Sequence, residues 1–439
     1  MSSTSSTNSE VLIIGAGAAG LVAARDLTRA GVKVLIVESR SRIGGRIFTH
    51  HDPNEHLPIE LGAEFMHGKS PELFSIIKDA GLKFEEVTSR HWYFENGRVI
   101  KSSDFWSTLE HSMEGMKNEI KDQSLASYFE STNSPTPARN VVSGYVEGFH
   151  AAQIDKIGIH GLTAFNEASD LIEGDRVFRL LDGYDGIVRA LHDDAVNRGA
   201  SVRLNTTVVE LRWSHNNVQA LCDFENDTLL VARKSLITVP IPILKSGGIN
   251  FVPGLPGAKL DAIRSLEMGA ALRIVLRFTH LFWENLEIPE IDKSDLKNLG
   301  FIHCPDATLP TWWTTLPEHE PILVGWAGGP RAKRLLSSED DMETRALESL
   351  SLIFSINHNV LQSYLVKSYF HNWQSDAFSR GAYSYLPVNG IEHQLNLAKP
   401  VDGTLFFAGE ATSHGHIGTV HGAIQSGTRA AREILTALK

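Results

Sequence analysis

The feature that most constrains the fold of this chain is a glycine-rich turn near its N-terminus. The segment V-L-I-I-G-A-G-A-A-G occupies residues 11–20, and its apolar start predicts a buried parallel strand over 11–14. Gly15 permits a tight turn and Gly17 lets the backbone approach a pyrophosphate, while Gly20 lets the next helix pack closely on the strand. The segment therefore predicts the first strand, turn and helix of a dinucleotide-binding unit.

A helix and a second strand complete this unit. The helix is predicted over about 18–30, with Gly31 as its C-terminal stop, and its first N–H groups face the expected phosphates. The run over 34–37 predicts the second strand, and Glu38 follows it 18 residues after Gly20. A carboxylate here accepts hydrogen bonds from ribose hydroxyls and disfavours a 2′-phosphate. NADP is therefore not expected at this site.

A second block, near the C-terminus, indicates which dinucleotide is bound. T-L-F-F-A-G-E-A-T occupies 404–412 and runs into G-T-V-H-G-A-I-Q-S-G at 418–427. Two chain ends that meet on one extended cofactor favour FAD over NAD. Further strand-like runs at 202–211 and 229–239 suggest the same layer, so the rest of the chain is inserted between parts of one domain.

Two other blocks lie between these runs. Residues 71–185 are mostly helical in pattern. Residues 262–395 contain strand candidates at 272–278 and 322–326 and a helical stretch at 340–354, which suggests a second sheet.

Composition narrows the class of protein. The chain has 439 residues and a net charge of −11, which argues against nucleic acid as the main partner. Cys222 and Cys304 are too few for a disulfide framework, so a reducing compartment is expected. Residues 1–9 are expected to be a disordered tail, and the lack of a long apolar run predicts no membrane span. A cytoplasmic protein is the expectation, with the oligomeric state left open and a monomer among the options.

Six segments in a fixed order identify a family. Together they resemble the flavin-containing amine oxidases, a group that includes polyamine oxidases, monoamine oxidases, L-amino-acid oxidases and the catalytic domain of flavin histone demethylases. The resemblance covers the chain from about Glu10 to its end. The segments are R-I-G-G-R at 42–46, E-L-G-A-E-F-M-H-G at 60–68, D-G-Y-D-G at 182–186, L-I-T-V-P-I-P-I-L-K at 236–245, W-Q-S-D-A-F-S-R-G-A-Y-S-Y at 373–385, and G-E-A-T at 409–412.

The resemblance implies an α/β fold in which a Rossmann-like FAD-binding domain is interleaved with a substrate-binding domain of mixed sheet and helices. The FAD-binding domain would comprise residues 10–70, 186–261 and 396–439. The substrate-binding domain would comprise residues 71–185 and 262–395, with its sheet over the flavin ring.

The resemblance also implies the cofactor contacts. Arg46 matches an arginine near the pyrophosphate, Glu410 an acid beside the ribityl and pyrophosphate groups, and Val208 a residue whose backbone holds the adenine. A surface cation at Arg46 and a helix cap at Glu410 are the alternative interpretations. The full predicted set is Gly15, Gly17, Ala19, Gly20, Glu38, Arg40, Gly45, Arg46, Gly62, Ala63, Glu64, Val208, Gly409, Glu410 and Thr419.

Five further positions describe the amine pocket that the resemblance implies. Ala382 stands where monoamine oxidases attach the flavin through cysteine, so non-covalent FAD is expected. Tyr383 matches one wall of the aromatic cage, and Thr419 stands where monoamine oxidases have a second tyrosine. His67 resembles a pocket histidine of animal polyamine oxidases, and Trp373 is a second aromatic wall. Core packing is the alternative for Tyr383 and Trp373, and a histidine on the domain boundary is the alternative for His67.

One position departs from the family. Relatives usually carry a strand lysine that holds a water against flavin N5, and Arg273 stands there in this chain, unless the alignment is shifted and Arg273 only ends a strand. Arginine is larger, planar and unable to lose its proton, so slower reaction with oxygen is expected. Glu60 and Glu64 are candidate ligands for the distal ammoniums of the substrate, against the alternative of structural acids.

The predicted function is FAD-dependent oxidation of a small cationic polyamine, spermine or spermidine, with O2 as the second substrate. Tyr383, Thr419, His67, Trp373, Glu64 and Arg273 form the predicted catalytic set. The pairs His50-His51 and His414/His416 lack a ligand set, so no metal is expected. The alternatives are a monoamine oxidase, an L-amino-acid oxidase that uses Arg273 or Arg380 as a carboxylate clamp, a dehydrogenase of unsaturated lipids or porphyrins, and a non-catalytic escort protein.

Overall fold

A computed structural model of the chain describes most of its residues. These are residues 7–53, 57–87, 90–95, 98–100, 105–117, 119–223, 229–288, 291–338 and 340–439. Most of the tail predicted for residues 1–9 therefore lies outside the described residues.

Strands and helices alternate along the described chain. The strands are β1 Thr7–Ile14, β2 Val34–Val37, β3 Thr49–His50, β4 Ile59–Glu60, β5 Phe65–His67, β6 Phe84–Glu86, β7 His91–Glu95, β8 Arg98–Ile100, β9 Val177–Leu180, β10 Ser201–Arg203, β11 Thr207–Ser214, β12 Asn217–Asp223, β13 Leu229–Ile237, β14 Asn250–Val252, β15 Glu267–Met268, β16 Ala271–Phe278, β17 Phe301–His303, β18 Thr311–Thr314, β19 Ile322–Gly328, β20 Leu365–Phe370, β21 Ser384–Tyr385 and β22 Leu405–Phe407. The α-helices are α1 Ala18–Arg29, α2 Pro71–Asp79, α3 Phe105–Lys117, α4 Leu125–Ser131, α5 Thr136–Phe149, α6 Ile159–Asp170, α7 Asp185–Asn197, α8 Ile241–Lys245, α9 Gly257–Ser265, α10 Lys293–Lys297, α11 Gly329–Leu336, α12 Met342–Phe354, α13 His358–Tyr364, α14 Gly390–Ala398 and α15 Val420–Leu438.

The first sheet joins strands from distant parts of the sequence. Its order is β10-β2-β1-β13-β12-β11-β14, and β22 also pairs with β13. Strands β10, β2, β1, β13 and β22 run parallel to their neighbours in this part of the sheet, whereas β11, β12 and β13 are antiparallel. The alternation of helices with a parallel sheet confirms the predicted α/β class.

The first strand is longer than the sequence pattern predicts. β1 begins at Thr7 rather than at Val11, and Thr7 pairs with Leu230 of β13. The polar residues 7–9 carry no strand pattern of their own. Their conformation follows from hydrogen bonding to a strand more than 200 residues away in the sequence.

The two ends of the chain meet as predicted. β22 pairs with β13 in the register Ser235 to Leu405, and β13 in turn pairs with β1. Helix α15 packs against α1 so closely that a Cβ atom on Gly427 would lie 2.3 Å from the carbonyl oxygen of Ala19. The glycine is required because two helix backbones are in contact there.

The second sheet has the order β20-β16-β19-β18-β17-β7-β8. One face packs on helices α11, α12 and α13 through a core that contains Leu272, Trp312 and Leu323. The other face carries Arg273, Trp313 and side chains of the candidate site. The block 71–185, predicted as mostly helical, contains α2–α6 but also contributes β7 and β8 to this sheet, since these short strands are stabilised by pairing with β17.

No helix in the described parts of the chain is long and apolar enough to cross a membrane.

Two glycine substitutions test the packing of the chain ends. Gly427→Ala is expected to lower the free energy of unfolding by about 1–3 kcal/mol, because the added Cβ meets the α1 backbone. The matched control is Gly144→Ala in α5, where an added Cβ meets nothing within 4 Å, and there a gain of about 0.5–1 kcal/mol is expected. Urea unfolding measures both values, and equal changes in the two variants would refute the close contact.

Candidate functional site

The glycine-rich turn has the geometry of a dinucleotide site. Gly15 has φ of +110°, and a Cβ on Gly20 would lie 2.0 Å from the carbonyl oxygen of Gly15, so neither position accepts a side chain. A Cβ on Gly17 would meet nothing within 4 Å, which leaves open space at the N-terminus of α1. The open space is where a pyrophosphate fits, because helix N-termini bind anions.

The acidic residue after β2 is fixed beside this turn. Glu38 accepts hydrogen bonds from the backbone N–H groups of Ala16 and Arg40, each at 2.9 Å. The carboxylate is thereby held next to the first helix, as a ribose ligand requires. The side chain of Arg40 is itself paired with Asp376 and donates to the Ser379 hydroxyl at 2.9 Å.

A half-buried ion pair connects three of the family segments. Arg46 Nη1 donates to Glu410 Oε1 at 2.9 Å and to the carbonyl of Ala382 at 2.8 Å. Glu410 also accepts from the Ser384 hydroxyl at 2.9 Å and from the Gly418 N–H at 3.0 Å. One carboxylate therefore ties together segments that lie up to 370 residues apart. A crevice beside this pair is lined by Arg46, Thr238, Gly409, Glu410 and Thr412.

The remaining predicted cofactor residues lie around the same path. A Cβ on Gly62 would come within 2.0 Å of the Arg46 carbonyl oxygen, and the N–H of Ala63 donates to that carbonyl at 3.2 Å. Val208 lies at a bulge where the pairing of β11 with β12 shifts, which frees backbone groups at this point. The other members lie at turns or helix starts: Gly45 and Gly409 have positive φ, Ala19 is in the first turn of α1, and the Thr419 hydroxyl accepts from Gly422 N–H to cap α15.

Tyr383 lies against the chain next to Thr419. The Tyr383 hydroxyl donates to the Phe149 carbonyl at 2.7 Å, which fixes the ring. A Cβ on Gly418, next to Thr419, would lie 3.3 Å from the Tyr383 ring. Trp326 packs on the same cluster of small residues as Tyr383, and its indole N–H donates to the Gly148 carbonyl at 2.9 Å. The structure thus brings together two predicted pocket residues and adds Trp326.

Histidines without charge line the neighbouring region. The His67 ring makes an edge contact with Phe149 at 5.2 Å between centroids. Burial lowers the pKa of His67 to about 4 and that of His150 to about 4. Burial, together with His416 and His67, lowers the pKa of His421 to about 3. These imidazoles are neutral at pH 7 and do not repel a cationic substrate.

Two of these histidines lack a hydrogen-bond partner. Nε2 of His150 and Nε2 of His421 are buried and unpaired within the described part of the chain. Buried polar atoms are normally hydrogen-bonded. These atoms therefore fit a site that is completed by a bound molecule.

Trp373 makes the contacts of a packing residue. Its indole N–H donates to the Leu61 carbonyl at 2.8 Å, and its ring packs on His371 and Phe48. These contacts leave Trp373 only 6% exposed. Its role as a cage wall stays a prediction, and the observed contacts favour packing against segment 60–68.

Arg273 is locked in a buried cluster of charges. Arg273 Nη2 lies 2.6 Å from Glu64 Oε2, and Arg179 Nη2 lies 2.7 Å from Glu64 Oε1. The Trp313 indole N–H donates to Glu64 Oε2 at 3.1 Å. Burial alone would raise the pKa of Glu64, but the guanidiniums of Arg273 and Arg179 hold it below its usual value. The Glu64 charge is balanced inside the protein, which favours an internal partner role over binding of a substrate ammonium.

Glu60 has a different environment. It accepts from the Thr49 hydroxyl and the Tyr184 N–H, both at 2.7 Å. Burial raises the pKa of Glu60 to about 8, so the carboxyl group is mostly protonated at pH 7. An uncharged carboxyl is a poor ligand for an ammonium group.

Residues outside the predicted set complete the site. They are Phe149, Arg179, Trp313, Trp326 and His421. His421 lies in the segment 418–427 and could have been found there, whereas no motif marks the other four. Trp326 stands directly opposite Arg273 in the pairing of β16 with β19. That register, once the strands are aligned, is the signal that could have identified Trp326. Among the described residues, no group of three or more His, Cys, Asp or Glu side chains is placed to hold a metal ion.

Comparison with known sequences agrees with this geometry. The profile of the family described as flavin containing amine oxidoreductase matches residues 18–435. Polyamine oxidase 3 of Oryza sativa subsp. japonica is 31% identical over 96% of this chain and 88% of its own length. Polyamine oxidase 2 of Arabidopsis thaliana is 30% identical over 96% of this chain and 87% of its own length. A rice lysine-specific histone demethylase 1 homolog 2 is 30% identical over 97% of this chain but only 57% of its own length.

Solved structures share the fold. Wild-type putrescine oxidase bound to putrescine superposes with a TM-score of 0.82 at 18% identity, covering 98% of this chain and 100% of the other. Cyclohexylamine oxidase from Brevibacterium oxydans IH-35A gives a TM-score of 0.82 at 20% identity with the same coverage. At these identities the likeness concerns the fold alone.

The buried histidines predict how stability depends on pH. Their pKa values lie below the ordinary 6.5, so between about pH 6.5 and 4 the unfolded chain binds more protons than the folded one. Stability is therefore full above pH 6.5 and falls as the pH drops, by about 1.4 kcal/mol per pH unit for each such histidine. His150→Leu should reduce the pH dependence of the free energy of unfolding by the contribution of one histidine, about 1.4 kcal/mol per pH unit. Urea unfolding at several pH values measures the slopes, and parallel curves would contradict the burial of a neutral His150.

Proposed function

The chain belongs to the family of flavin-containing amine oxidoreductases and is an FAD-dependent amine oxidase, and we propose that its substrate is a polyamine of the spermine or spermidine type. The observation that carries the proposal is the uncharged wall formed by Tyr383, Phe149 and His67 beside Thr419. Aromatic faces attract ammonium groups, and neutral imidazoles accept hydrogen bonds from them. The similarity to plant polyamine oxidases supports the same substrate class.

The residues of the chain supply orientation and a dry environment. FAD, when bound, accepts a hydride from the carbon next to the amine nitrogen and passes two electrons on to O2. Tyr383, held by its hydrogen bond to Phe149, would orient the amine, while Trp326 and the neighbouring small residues exclude water. The amine nitrogen must be neutral so that its lone pair can form the C=N bond as the neighbouring carbon gives up the hydride, and the neutral histidines add no charge that would oppose this. Hydrolysis of the released imine would give an aldehyde and a smaller amine, with hydrogen peroxide formed from O2.

The cofactor fits the residues on the FAD path. Gly17 leaves room for the pyrophosphate, Glu38 is fixed for the ribose, and Arg46 with Glu410 borders the crevice that leads to the pocket. Because Ala382 stands where some relatives have cysteine, the flavin would be held without a covalent bond. The compartment is proposed to be the cytoplasm.

The alternative substrates need groups that this site does not supply in the described residues. A carboxylate clamp of an L-amino-acid oxidase requires a free arginine. Arg273 is paired with Glu64, and Arg380 is an exposed residue in a left-handed turn. An escort protein would not need the fixed Tyr383, and the flavin titration with a monoamine separates a monoamine oxidase from a polyamine oxidase.

Anaerobic titration of the bound flavin tests the substrate. Spermine or spermidine is expected to bleach the yellow protein fastest, with a monoamine and an L-amino acid as matched comparisons, because the uncharged aromatic wall accommodates several ammoniums. Stopped-flow absorbance measures the rates. Fastest bleaching by the monoamine or the amino acid would leave the amine oxidase assignment intact and refute the polyamine proposal.

The side chain at position 273 is expected to affect the rate at which O2 reoxidises the reduced flavin. We expect Arg273→Lys to reoxidise the reduced flavin faster than the unsubstituted protein, by about tenfold, because lysine is smaller and can hold a water that arginine displaces. Mixing the photoreduced protein with oxygenated buffer measures this rate. Arg277→Lys on the same strand is the control and should leave it unchanged. Equal rates for Arg273→Lys and the unsubstituted protein would contradict the proposed place of Arg273 beside the flavin.

A further inference from the structure

The cluster of Glu64, Arg179 and Arg273 is rigid and shielded from solvent. The side chains are 6%, 12% and 7% exposed, respectively. Each oxygen of Glu64 faces a different guanidinium, and the Trp313 indole N–H adds a third contact. Charges that are buried in this way are poorly screened by water and salt. Their field therefore reaches groups bound nearby.

The cluster carries an excess of positive charge. Two guanidiniums and one carboxylate leave one net positive charge, 2 − 1 = 1. Both terminal nitrogens of Arg179 are engaged, since Nη2 donates to Glu64 and Nη1 donates to the carbonyls of Thr315 and Leu316. Arg273 is not fully engaged, because its Nε is buried and has no partner among the described residues. The unsatisfied donor indicates that Arg273 faces a bound molecule.

We infer that Glu64 is a positioning residue that fixes the guanidinium of Arg273 toward the flavin, so that the net charge of the cluster sets the reduction potential of the bound FAD. The inference rests on the proposed place of Arg273 beside the flavin ring. A fixed positive charge in a low-dielectric site favours the electrons that the cofactor gains. In this assignment Glu64 acts on the reduction potential of the flavin and does not bind the substrate.

The net charge of the cluster predicts a different reduction potential for each variant. Glu64→Gln raises the net charge of the cluster to two and should make the potential more positive. Arg273→Gln lowers the net charge to zero and should make it more negative. The double variant keeps a net charge of one but carries it on Arg179 in place of Arg273, so its potential should lie between those of the two single variants. Each single change is expected to alter the equilibrium constant for flavin reduction about tenfold, which is about 30 mV for a two-electron couple.

A neighbouring acid provides the matched control. Glu60 lies four residues before Glu64, is equally buried and is mostly protonated at pH 7. Glu60→Gln therefore removes almost no charge and should leave the potential unchanged. If the substitutions only disturbed the structure of segment 60–68, Glu60→Gln and Glu64→Gln would shift the reduction potential alike. A difference between their potentials therefore reports the effect of charge.

The potentials are measured on the FAD-loaded proteins at pH 7, with light and a sacrificial donor as reductant and reference dyes as standards. An unchanged potential in Glu64→Gln, an equal shift in Glu60→Gln, or a double variant whose potential lies outside the range of the two single variants would overturn the inference. If Glu64→Gln does not retain FAD, Arg273→Gln must still lower the potential while the charge-conserving Arg273→Lys does not. Because no amine is present, these outcomes are independent of the titration that tests the polyamine substrate.

Discussion

The ion pair of Arg46 with Glu410 is the interaction on which the site depends. Its carboxylate accepts from Ser384 and Gly418 as well as from Arg46, whose second contact is the Ala382 carbonyl. Removing one member would leave a charge and several donors unpaired in a buried place, which is costly. The same contacts set the loop that carries Tyr383 against the loop that carries Thr419. Cofactor binding and the shape of the amine pocket therefore share one structural element.

Burial determines the protonation state of most titratable side chains around the candidate site. His67, His150 and His421 are neutral because desolvation disfavours their cations. The same effect keeps Glu60 protonated, whereas Glu64 stays ionised through two guanidiniums. Five titratable side chains thus contribute a single fixed anion, and that anion is already paired. The side chains of Tyr383, Phe149 and His67 are therefore uncharged, and the one net positive charge lies in the cluster of Glu64, Arg179 and Arg273.

Local patterns predicted the first strand–turn–helix–strand unit well, because its contacts are close in sequence. Gly15, Gly17, Gly20 and Glu38 lie where the motif requires them, and α1 and β2 match the predicted ranges within a residue. The start of β1 at Thr7 and the strands β7 and β8 were not predictable in this way, since they depend on partners far along the chain. Arg179 and Trp313 were missed for the same reason. Each reaches Glu64 only after the sheets are assembled.

Arg273, which stands where the family resemblance predicts a lysine, is stabilised in its buried position by Glu64. A lone guanidinium buried at that place would have an unpaired charge in a low-dielectric site. Glu64 supplies the counter-charge, and Arg179 with Trp313 fixes the carboxylate so that its two oxygens cannot turn away. Glu64 directly precedes β5, and the other three side chains come from β9, β16 and β18, so the arrangement joins segment 60–68 to the second sheet. In the sequence, Arg273 is a single departure from a family motif. In the folded protein it belongs to a charge network in which Glu64 balances its charge.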